Sequence, residues 1–232
     1  MNEKSYKLGG ETHQKKFLVI AGNIGSGKTT LTKKLSEHFG WVPHFEPVVD
    51  NPFLEDFYKD MKRWSFSLQI YFLDHRFNAH RMIESSPVTG IQDRSIYEDA
   101  HVFARSLFEQ GMMDPRDYEC YLGIFHSMLN YLSKPTLVIY LQRSVPKLME
   151  RIRRRGRDFE KGIAPEYLER LNHYYDEWFD SYDAGKKLLI ETDEMDFLSS
   201  HDDFMAIVES IKKQLVGTPN AEEWSFRINS NS

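Results

Sequence analysis

The sequence predicts an α/β protein in which a parallel sheet of five strands lies between layers of helices. Short apolar runs alternate with long segments of helical periodicity, which is the pattern of βαβ units. The run at 17–21 (FLVIA) is apolar at every position, as is typical of a strand buried on both faces of a parallel sheet. No internal repeat or Pro/Gly-rich linker divides the chain, so we expect one domain over residues 16–216.

Each predicted element follows from a local signal. Apolar runs predict strands at 17–21, 41–45, 88–93, 136–142 and 187–192. Helical periodicity predicts helices at 28–38, 62–84, 97–110, 115–132, 144–155, 165–183 and 201–215. The polar segments at the two ends, 1–15 and 217–232, are expected to be a flexible leader and a polar tail.

Composition and charge exclude several classes of protein. The 232 residues contain 30 Lys and Arg against 35 Asp and Glu, and the net charge of −5 argues against a nucleic acid held by bulk charge. The single cysteine, Cys120, excludes an intramolecular disulfide and a thiolate zinc site, which fits the cytoplasm; we expect it to be a small core residue. No apolar run approaches the roughly 20 residues of a membrane span, so no membrane partner is expected.

A phosphate-binding loop is the strongest local signal in the sequence. Residues 22–29 (GNIGSGKT) match G-x-x-x-x-G-K-[ST], directly after the first strand and before the first helix. Backbone N–H groups of such a loop and the positive end of the helix bind phosphate oxygens. Lys28 is expected to reach the β- and γ-phosphates, and Thr29 to coordinate Mg²⁺. The alternative is a glycine-rich turn that only joins strand to helix. The predicted ATP-binding residues of this segment are Gly22, Asn23, Ile24, Gly25, Ser26, Gly27, Lys28, Thr29 and Thr30.

The loop predicts a three-layer fold of the P-loop NTPase type but does not identify the reaction. The sequence contains neither D-x-x-G nor N-K-x-D, the strings expected of a GTPase switch. The strand at 136–142 ends in Gln142, whereas a motor ATPase carries Asp-Glu at that point. Transfer of the γ-phosphoryl group to a small acceptor fits better. A nucleoside monophosphate kinase and a non-catalytic nucleotide- or nucleic-acid-binding module remain as alternatives.

Further segments, in the same order along the chain, resemble those of the cellular deoxynucleoside kinases. They are GNIGSGKTT at 22–30, EPV at 46–48, RWSFSLQIYFLDHR at 63–76, DRSIYED at 93–99 and RGR at 155–157. The resemblance runs from 17 to 192, and NPFLEDFY at 51–58 is most similar to bacterial purine-type members. It implies ATP- and Mg²⁺-dependent phosphorylation of a deoxynucleoside 5′-hydroxyl in nucleotide salvage, with deoxyadenosine or deoxyguanosine favoured and deoxycytidine accepted. It also implies a homodimer built on the helices 62–84 and 115–132.

The predicted catalytic and metal residues follow strand ends. Glu46 comes after the second strand, where a carboxylate can accept the proton of the attacking hydroxyl, and the resemblance implies this general-base role. Asp93 can bind Mg²⁺ opposite Thr29, although the family usually has glutamate there, which favours a contact through water. Arg94 can hold Glu46 and the reacting oxygens, and Lys28 completes the catalytic set. The alternatives are an exposed loop glutamate at 46 and a helix N-cap at 93.

The predicted acceptor site combines a helix with residues that the resemblance supplies. Gln69 and Arg76 are seven residues apart on one helix face; Gln69 can contact a base edge through both amide atoms, and Asp99 can pair with Arg76. The alternative for this pair is an ordinary surface salt bridge. The resemblance implies that Tyr58 and Glu160 bind the sugar 3′-hydroxyl and that Tyr58 crowds a ribose. Three aromatic residues can flank the base: Phe66, Phe72 and Phe103.

The basic run at 151–157 (RIRRRGR) is the candidate for a lid over ATP. The resemblance implies that Arg151, Arg155 and Arg157 neutralise charge on the transferring phosphoryl group. The alternative is a solvated helix face, which we expect Arg153 or Arg154 to form.

Overall fold

The computed structural model describes residues 5–8, 11–45, 51–216 and 227–228. Its strands are β1 (Ser5–Leu8), β2 (Glu11–Gln14), β3 (Phe17–Gly22), β4 (Val42–His44), β5 (Gly90–Asp93), β6 (Leu137–Gln142), β7 (Lys186–Glu191) and β8 (Arg227–Ile228). Its helices are α1 (Lys28–Phe39), α2 (Leu54–Lys59), α3 (Met61–Ser85), α4 (Ile96–Glu98), α5 (Arg105–Glu109), α6 (Pro115–Leu129), α7 (Val145–Arg155), α8 (Pro165–Ser181) and α9 (His201–Val216). A π-helical turn, Asp99–Ala104, joins α4 to α5, and a 3-10 turn spans Asp158–Glu160.

The main sheet is parallel, in the order β4-β5-β3-β6-β7-β8. Its first five strands are the five predicted from the sequence, so the predicted α/β class and the parallel five-stranded sheet are confirmed. The sheet also has a sixth strand, β8, which pairs with β7 and lies in the segment predicted as a polar tail. Two residues are too few to produce a periodic signal, which is why the sequence does not predict β8.

A separate antiparallel pair of strands, β1 with β2, lies within the segment 1–15, for which the sequence predicts a flexible leader and no strand. A sequence signal for this pairing does exist. The two strands are separated by Gly9-Gly10 in the sequence, a dipeptide that favours two-residue hairpin turns.

Both faces of the sheet are covered by helices, which explains the uninterrupted apolar run of β3. Val19 and Ala21 belong to a core cluster on one face that includes Tyr175 of α8. Leu18 and Ile20 belong to the cluster on the other face, together with residues of α1 and α9. All four β3 side chains are fully buried, so a polar residue at any of them would be buried without a partner.

Two of the helices, and the exposure of Cys120, differ from the prediction. The sequence does not predict α2, because six residues give too little periodicity. The predicted helix 97–110 is divided into α4, the π-helical turn and α5. Cys120, expected in the core, is exposed on α6, because helix α6 turns that position outward. Across the described ranges, no helix is long and apolar enough to cross a membrane.

The carboxyl ends of β3 and β5 bring two predicted motifs together. These strands are neighbours, with Ile20 opposite Asp93. The phosphate loop follows β3, and Arg94 follows β5. Ligand sites of open α/β sheets form at this edge, and the cleft described next lies there.

Candidate active site

A cleft at the carboxyl edge of the sheet contains most of the predicted site residues. Hydrophobic residues of α2 and α3, among them Leu54, Phe57 and Leu68, form its apolar wall. Phe72 and Phe103 also line it, as predicted, whereas Phe66 packs against the core cluster. The predicted site residues that line the cleft are Ile24, Gly25, Lys28, Thr29, Tyr58, Gln69, Arg94, Asp99, Arg155, Arg157 and Glu160.

The phosphate loop adopts backbone conformations that favour glycine. Gly22 has a φ of 145° and Gly27 a φ of 102°, conformations that other residues rarely adopt. A Cβ on Gly22 would lie 2.8 Å from the carbonyl oxygen of Leu141, so close packing also requires glycine there. The ammonium group of Lys28 donates to the carbonyl oxygen of Asn23 across 2.9 Å. The loop therefore closes around its own lysine, with α1 starting at Lys28.

Asn23 fastens the loop to α8. Its Nδ2 donates to the carbonyl oxygen of Leu168 at 2.9 Å and to Oδ1 of Asn172 at 2.7 Å. Its Oδ1 accepts from the N–H of Ile24 at 2.7 Å. Both the oxygen and the nitrogen of the Asn23 side-chain amide are therefore bound by the protein itself, and these contacts hold the start of the loop against α8.

Thr29 and Asp93, the two predicted metal residues, are in contact. The Thr29 hydroxyl donates to Asp93 Oδ2 across 2.5 Å. The other carboxylate oxygen, Oδ1, is buried and has no hydrogen-bond partner among the described residues. A hydroxyl and a carboxylate beside a phosphate loop fit Mg²⁺, which binds through one or two protein oxygens together with phosphates and water. Ser95, and not Asp93, occupies the N-cap position of α4, which removes the helix-cap alternative.

Arg94 is held in a strained conformation at the centre of the cleft. Its φ is 69°, in the left-handed region, at a cost of about 1–3 kcal/mol for a residue with a side chain. Its guanidinium lies 4.3 Å from the ring centroid of Phe103. The side chain is nearly buried, with 5% exposed. The predicted general base, Glu46, lies in the segment 46–50, outside the described residues.

A buried ion pair contributes one of its two members, Asp99, to the lining of the cleft. Arg76 Nε lies 3.3 Å from Asp99 Oδ2, and both side chains are almost fully buried. The surface salt bridge considered as an alternative is therefore wrong. Gln69 is also buried, and its Oε1 has no hydrogen-bond partner in the part of the chain that the structure describes. A buried amide oxygen without a partner in a cleft is a binding position for a hydrogen-bond donor.

Asp99 lies on the π-helical turn, which the sequence does not predict. The turn runs from Asp99 to Ala104 and also contains Phe103. It therefore contributes two residues to the cleft lining, Asp99 and Phe103, and both have a π-helical backbone. π-Helical turns are frequent at functional sites. The turn supports the expectation that this segment forms part of the binding site.

The predicted lid arginines and Glu160 form one cluster. Arg155 binds the Glu160 carboxylate through both Nη2, at 2.5 Å, and Nε, at 3.1 Å. Arg157 Nη1 donates to the same carboxylate at 3.4 Å. The sequence predicts the arginines at the donor phosphates and Glu160 at the sugar, and in the structure these groups are in direct contact.

Arg151 lies apart from this cluster, beside the phosphate loop. Its guanidinium is 5.5 Å from the ring centroid of Phe197, and a Cβ on Gly27 would be 2.8 Å from its Nη1. Burial and the charge of Arg154 lower the pKa of Arg151. Arg153 and Arg154 are exposed, as expected of a solvated helix face.

Glu98 is a buried carboxyl group at the site that sequence analysis missed. It has no exposed surface and accepts hydrogen bonds from the N–H of Gly22, the N–H of Ser95 and the hydroxyl of Tyr175. Burial raises its pKa to about 7, against the lowering influence of Arg94 and Lys28. The S-x-x-E spacing of Ser95 and Glu98 is a capping-box signal that predicts only the second of these hydrogen bonds.

The chain is similar to known proteins of one family over most of its length. A family model described as deoxynucleoside kinase matches residues 18–217. The deoxyadenosine/deoxycytidine kinase of Bacillus subtilis is 36% identical over 197 residues, which cover 84% of this chain and 91% of that one. The deoxyguanosine kinase of the same organism is 35% identical over 204 residues, covering 86% and 98%.

Solved structures show the same similarity. The structure of deoxyadenosine kinase from M. mycoides with bound dATP superposes with a TM-score of 0.74 at 31% identity and covers 84% of this chain and 99% of that one. The match to the family extends over nearly all of the sheet and the helices that position the cleft, including the phosphate loop and the loop after β5. On these grounds the chain belongs to the deoxynucleoside kinase family.

Proposed function

We propose that this protein transfers the γ-phosphoryl group of ATP to the 5′-hydroxyl of a deoxynucleoside, with deoxyadenosine and deoxyguanosine as preferred acceptors. The observation that carries the proposal is one cleft lined both by the phosphate loop and by Gln69 and Asp99, with Arg76 paired to Asp99. The named relatives, which are deoxyadenosine, deoxycytidine and deoxyguanosine kinases, support this acceptor class.

The chemistry of transfer is assigned to residues around the phosphate loop. Glu46 takes the proton of the attacking 5′-hydroxyl, and Arg94 orients the hydroxyl and the phosphoryl oxygens. Lys28 and the lid arginines Arg151, Arg155 and Arg157 offset the charge of the phosphates. Thr29 and Asp93 would hold Mg²⁺, which adds further positive charge at the phosphates when bound.

The polar groups of the base side favour bases with an exocyclic amino group. Asp99 carries a carboxylate, which only accepts hydrogen bonds, and it lines the cleft. Gln69 can donate and accept at once, as adenine N7 and N6 require. Thymine, unlike adenine, guanine and cytosine, has no exocyclic amino group that could donate to this carboxylate, so a carboxylate in the cleft disfavours it.

The sugar site is proposed at Tyr58 and Glu160. Both residues line the cleft, and Glu160 has a carboxylate that can accept from a 3′-hydroxyl. Tyr58 packs against the same apolar wall as Phe57, and its ring would crowd a 2′-hydroxyl. This accounts for a preference for deoxyribose over ribose.

An acceptor panel tests the proposal. With ATP and Mg²⁺, we expect deoxyadenosine and deoxyguanosine to be phosphorylated fastest, deoxycytidine more slowly and thymidine at background. Preference for dAMP over deoxyadenosine would identify a nucleoside monophosphate kinase instead. Salt-sensitive binding of DNA or RNA, with no ATP consumption driven by a nucleoside, would identify a non-catalytic binding module.

We also propose that a second copy of the chain covers an apolar face of α3 and α6. A shallow groove on this face includes Phe77, Ile124 and Met128, and Tyr131 at its end is 70% exposed. Cys120 lies in the same groove and is the only cysteine of the chain. A bismaleimide cross-linker should therefore join two chains at Cys120, and Cys120→Ser should prevent it. Monomeric mass by light scattering would contradict the dimer.

We propose the cytoplasm as the location, where ATP is supplied.

A further inference from the structure

One carboxyl group joins three elements behind the phosphate loop. Glu98 Oε1 accepts from the Gly22 N–H at 3.3 Å and from the Tyr175 hydroxyl at 2.9 Å. Glu98 Oε2 accepts from the Ser95 N–H at 2.8 Å. These donors belong to the start of the phosphate loop, to α8 and to the start of α4. Both carboxyl oxygens are therefore engaged in a position without access to water.

The contact with Gly22 fixes an unusual backbone geometry. At a φ of 145°, the N–H of Gly22 is directed to Glu98. A buried N–H without an acceptor costs free energy, so Glu98 favours this conformation before any nucleotide binds. The positions of the loop residues after Gly22 depend on the direction that the chain takes at Gly22, where β3 ends.

Helix α8 fastens the loop a second time, next to the same point. Leu168 and Asn172 bind the side chain of Asn23, and Tyr175 binds Glu98. These three residues are spaced four and three apart, so they form one face of the helix. Asn172 Nδ2 also donates to the carbonyl oxygen of Arg143, which follows β6. One face of α8 thus contacts the first two residues of the loop: it binds Asn23 directly, and it binds Gly22 through Glu98.

We propose that Glu98 is a positioning residue for nucleotide binding: its carboxyl group holds the first amide of the phosphate loop against α4 and α8, and thereby presents the remaining loop amides to ATP. Glu98 does not line the cleft and acts only through Gly22 and its neighbours. The inference rests on the proposed function only in that the loop binds ATP. According to this proposal, the binding of ATP depends on Glu98, whereas the binding of the deoxynucleoside does not.

The test compares two substitutions that remove similar contacts at different places. Glu98→Gln keeps the shape but has a single acceptor oxygen, so its NH₂ group faces either the Gly22 N–H or the Ser95 N–H, and in both orientations the bridge between the phosphate loop and α4 is broken. Asp176→Asn is the matched control. Asp176 also accepts a hydrogen bond from a tyrosine, Tyr140 at 2.9 Å, and another from Gln142, and it makes no hydrogen bond to the loop among the described residues.

Calorimetric titration with ATP and Mg²⁺, and separately with deoxyadenosine, gives the readout. For Glu98→Gln we expect the Kd of ATP to rise about tenfold, the effect of losing one hydrogen bond to a charged group. The Kd of deoxyadenosine should stay within about twofold, and Asp176→Asn should change neither Kd by more than that. This split between ligands distinguishes positioning from a general loss of stability.

Three results would overturn the inference: an unchanged Kd of ATP in Glu98→Gln, equal weakening of both ligands, or equal weakening of ATP binding in Asp176→Asn. If Glu98→Gln does not fold, Tyr175→Phe takes its place, with an expected rise in the Kd of ATP of about threefold; an unchanged Kd there overturns the inference as well. A wild-type chain that binds ATP but phosphorylates no deoxynucleoside would contradict the proposed function alone.

Discussion

The hydroxyl of Thr29 donates a hydrogen bond to Asp93 Oδ2 across 2.5 Å, which links the phosphate loop to the loop after β5. Two predicted metal residues, 64 positions apart in the chain, therefore share one place in the fold. The neighbouring register of β3 and β5 produces this contact, since Ile20 lies opposite Asp93.

Thr29→Ala should lower kcat about a hundredfold, because it removes an oxygen ligand of the proposed Mg²⁺ site. Thr29→Ser retains the hydroxyl and should stay close to the wild type. The measurement is the initial rate of deoxyadenosine phosphorylation as a function of Mg²⁺ concentration. Equal rates for the alanine and serine variants at all concentrations would show that the hydroxyl has no part in the reaction.

Asp99→Ala should destabilise the protein by about 3–5 kcal/mol, because it leaves the buried guanidinium of Arg76 without its carboxylate. The double variant Arg76→Met, Asp99→Ala removes both charges and should recover most of that loss. Denaturant unfolding of the three proteins measures both effects.

The same double variant should accept thymidine, because the carboxylate that repels the thymine carbonyl oxygens is then absent. Phosphorylation of thymidine by ATP is the readout, with Asp176→Asn as a control that leaves the cleft unchanged. Thymidine phosphorylation that stays at background in a folded double variant would refute this account of base selection.

The sequence predicts the parts of the site that depend on local strings. The phosphate loop follows β3, and Asp93 and Arg94 lie at the end of β5, as the sequence predicts, because each short motif follows a strand whose apolar run is also local. Glu98 is different, since its donors Gly22 and Tyr175 are 76 and 77 positions away and only the folded chain brings them together. The π-helical turn at Asp99–Ala104 likewise depends on packing against α8 and α3, which no periodicity within the segment reveals.

The basic segment at 151–157 shows a second limit of prediction from sequence. The basic run at 151–157 correctly indicates a cationic element, but the sequence does not show which charge each arginine meets. Arg155 and Arg157 bind Glu160, whereas Arg151 lies against Phe197. Helix α7 ends at Arg155, and Gly156 turns the chain back in a left-handed conformation. This turn precedes Arg157 and Glu160, and Glu160 contacts both Arg155 and Arg157.

Glu98 should make the stability of the protein fall as the pH rises from 4.5 to about 7. Burial raises the pKa of this carboxyl group to about 7 from its ordinary value of 4.5, with Asp99 adding to the effect and Arg94, Lys28 and Tyr175 opposing it. The folded chain thus binds the proton more tightly than the unfolded chain, and its contribution to stability is complete below pH 4.5 and lost above 7. The slope is at most about 1.4 kcal/mol per pH unit.

The measurement is the difference in free energy of unfolding between the wild type and Glu98→Gln, taken across this range of pH. Other titrating groups cancel in the difference, because both proteins contain them. A difference that does not change between pH 4.5 and 7 would show that the carboxyl group titrates at its ordinary pKa in the folded protein.

Glu46→Gln should lower turnover of deoxyadenosine by about a thousandfold, because the amide cannot take the proton of the 5′-hydroxyl. The Kd of ATP should be unchanged, which calorimetry can verify on the same preparation. Near-normal turnover in this variant would reject Glu46 as the base.

The central claim is that the primary hydroxyl of the sugar receives the phosphoryl group of ATP. The most direct measurement incubates the protein with ATP, Mg²⁺ and either deoxyadenosine or 2′,5′-dideoxyadenosine, and follows both products by phosphorus NMR. We predict equal amounts of ADP and deoxyadenosine 5′-monophosphate from the first acceptor and no reaction with the second. Absence of the 5′-monophosphate, or ADP formed at the same rate with the acceptor that has no 5′-hydroxyl, would contradict the claim.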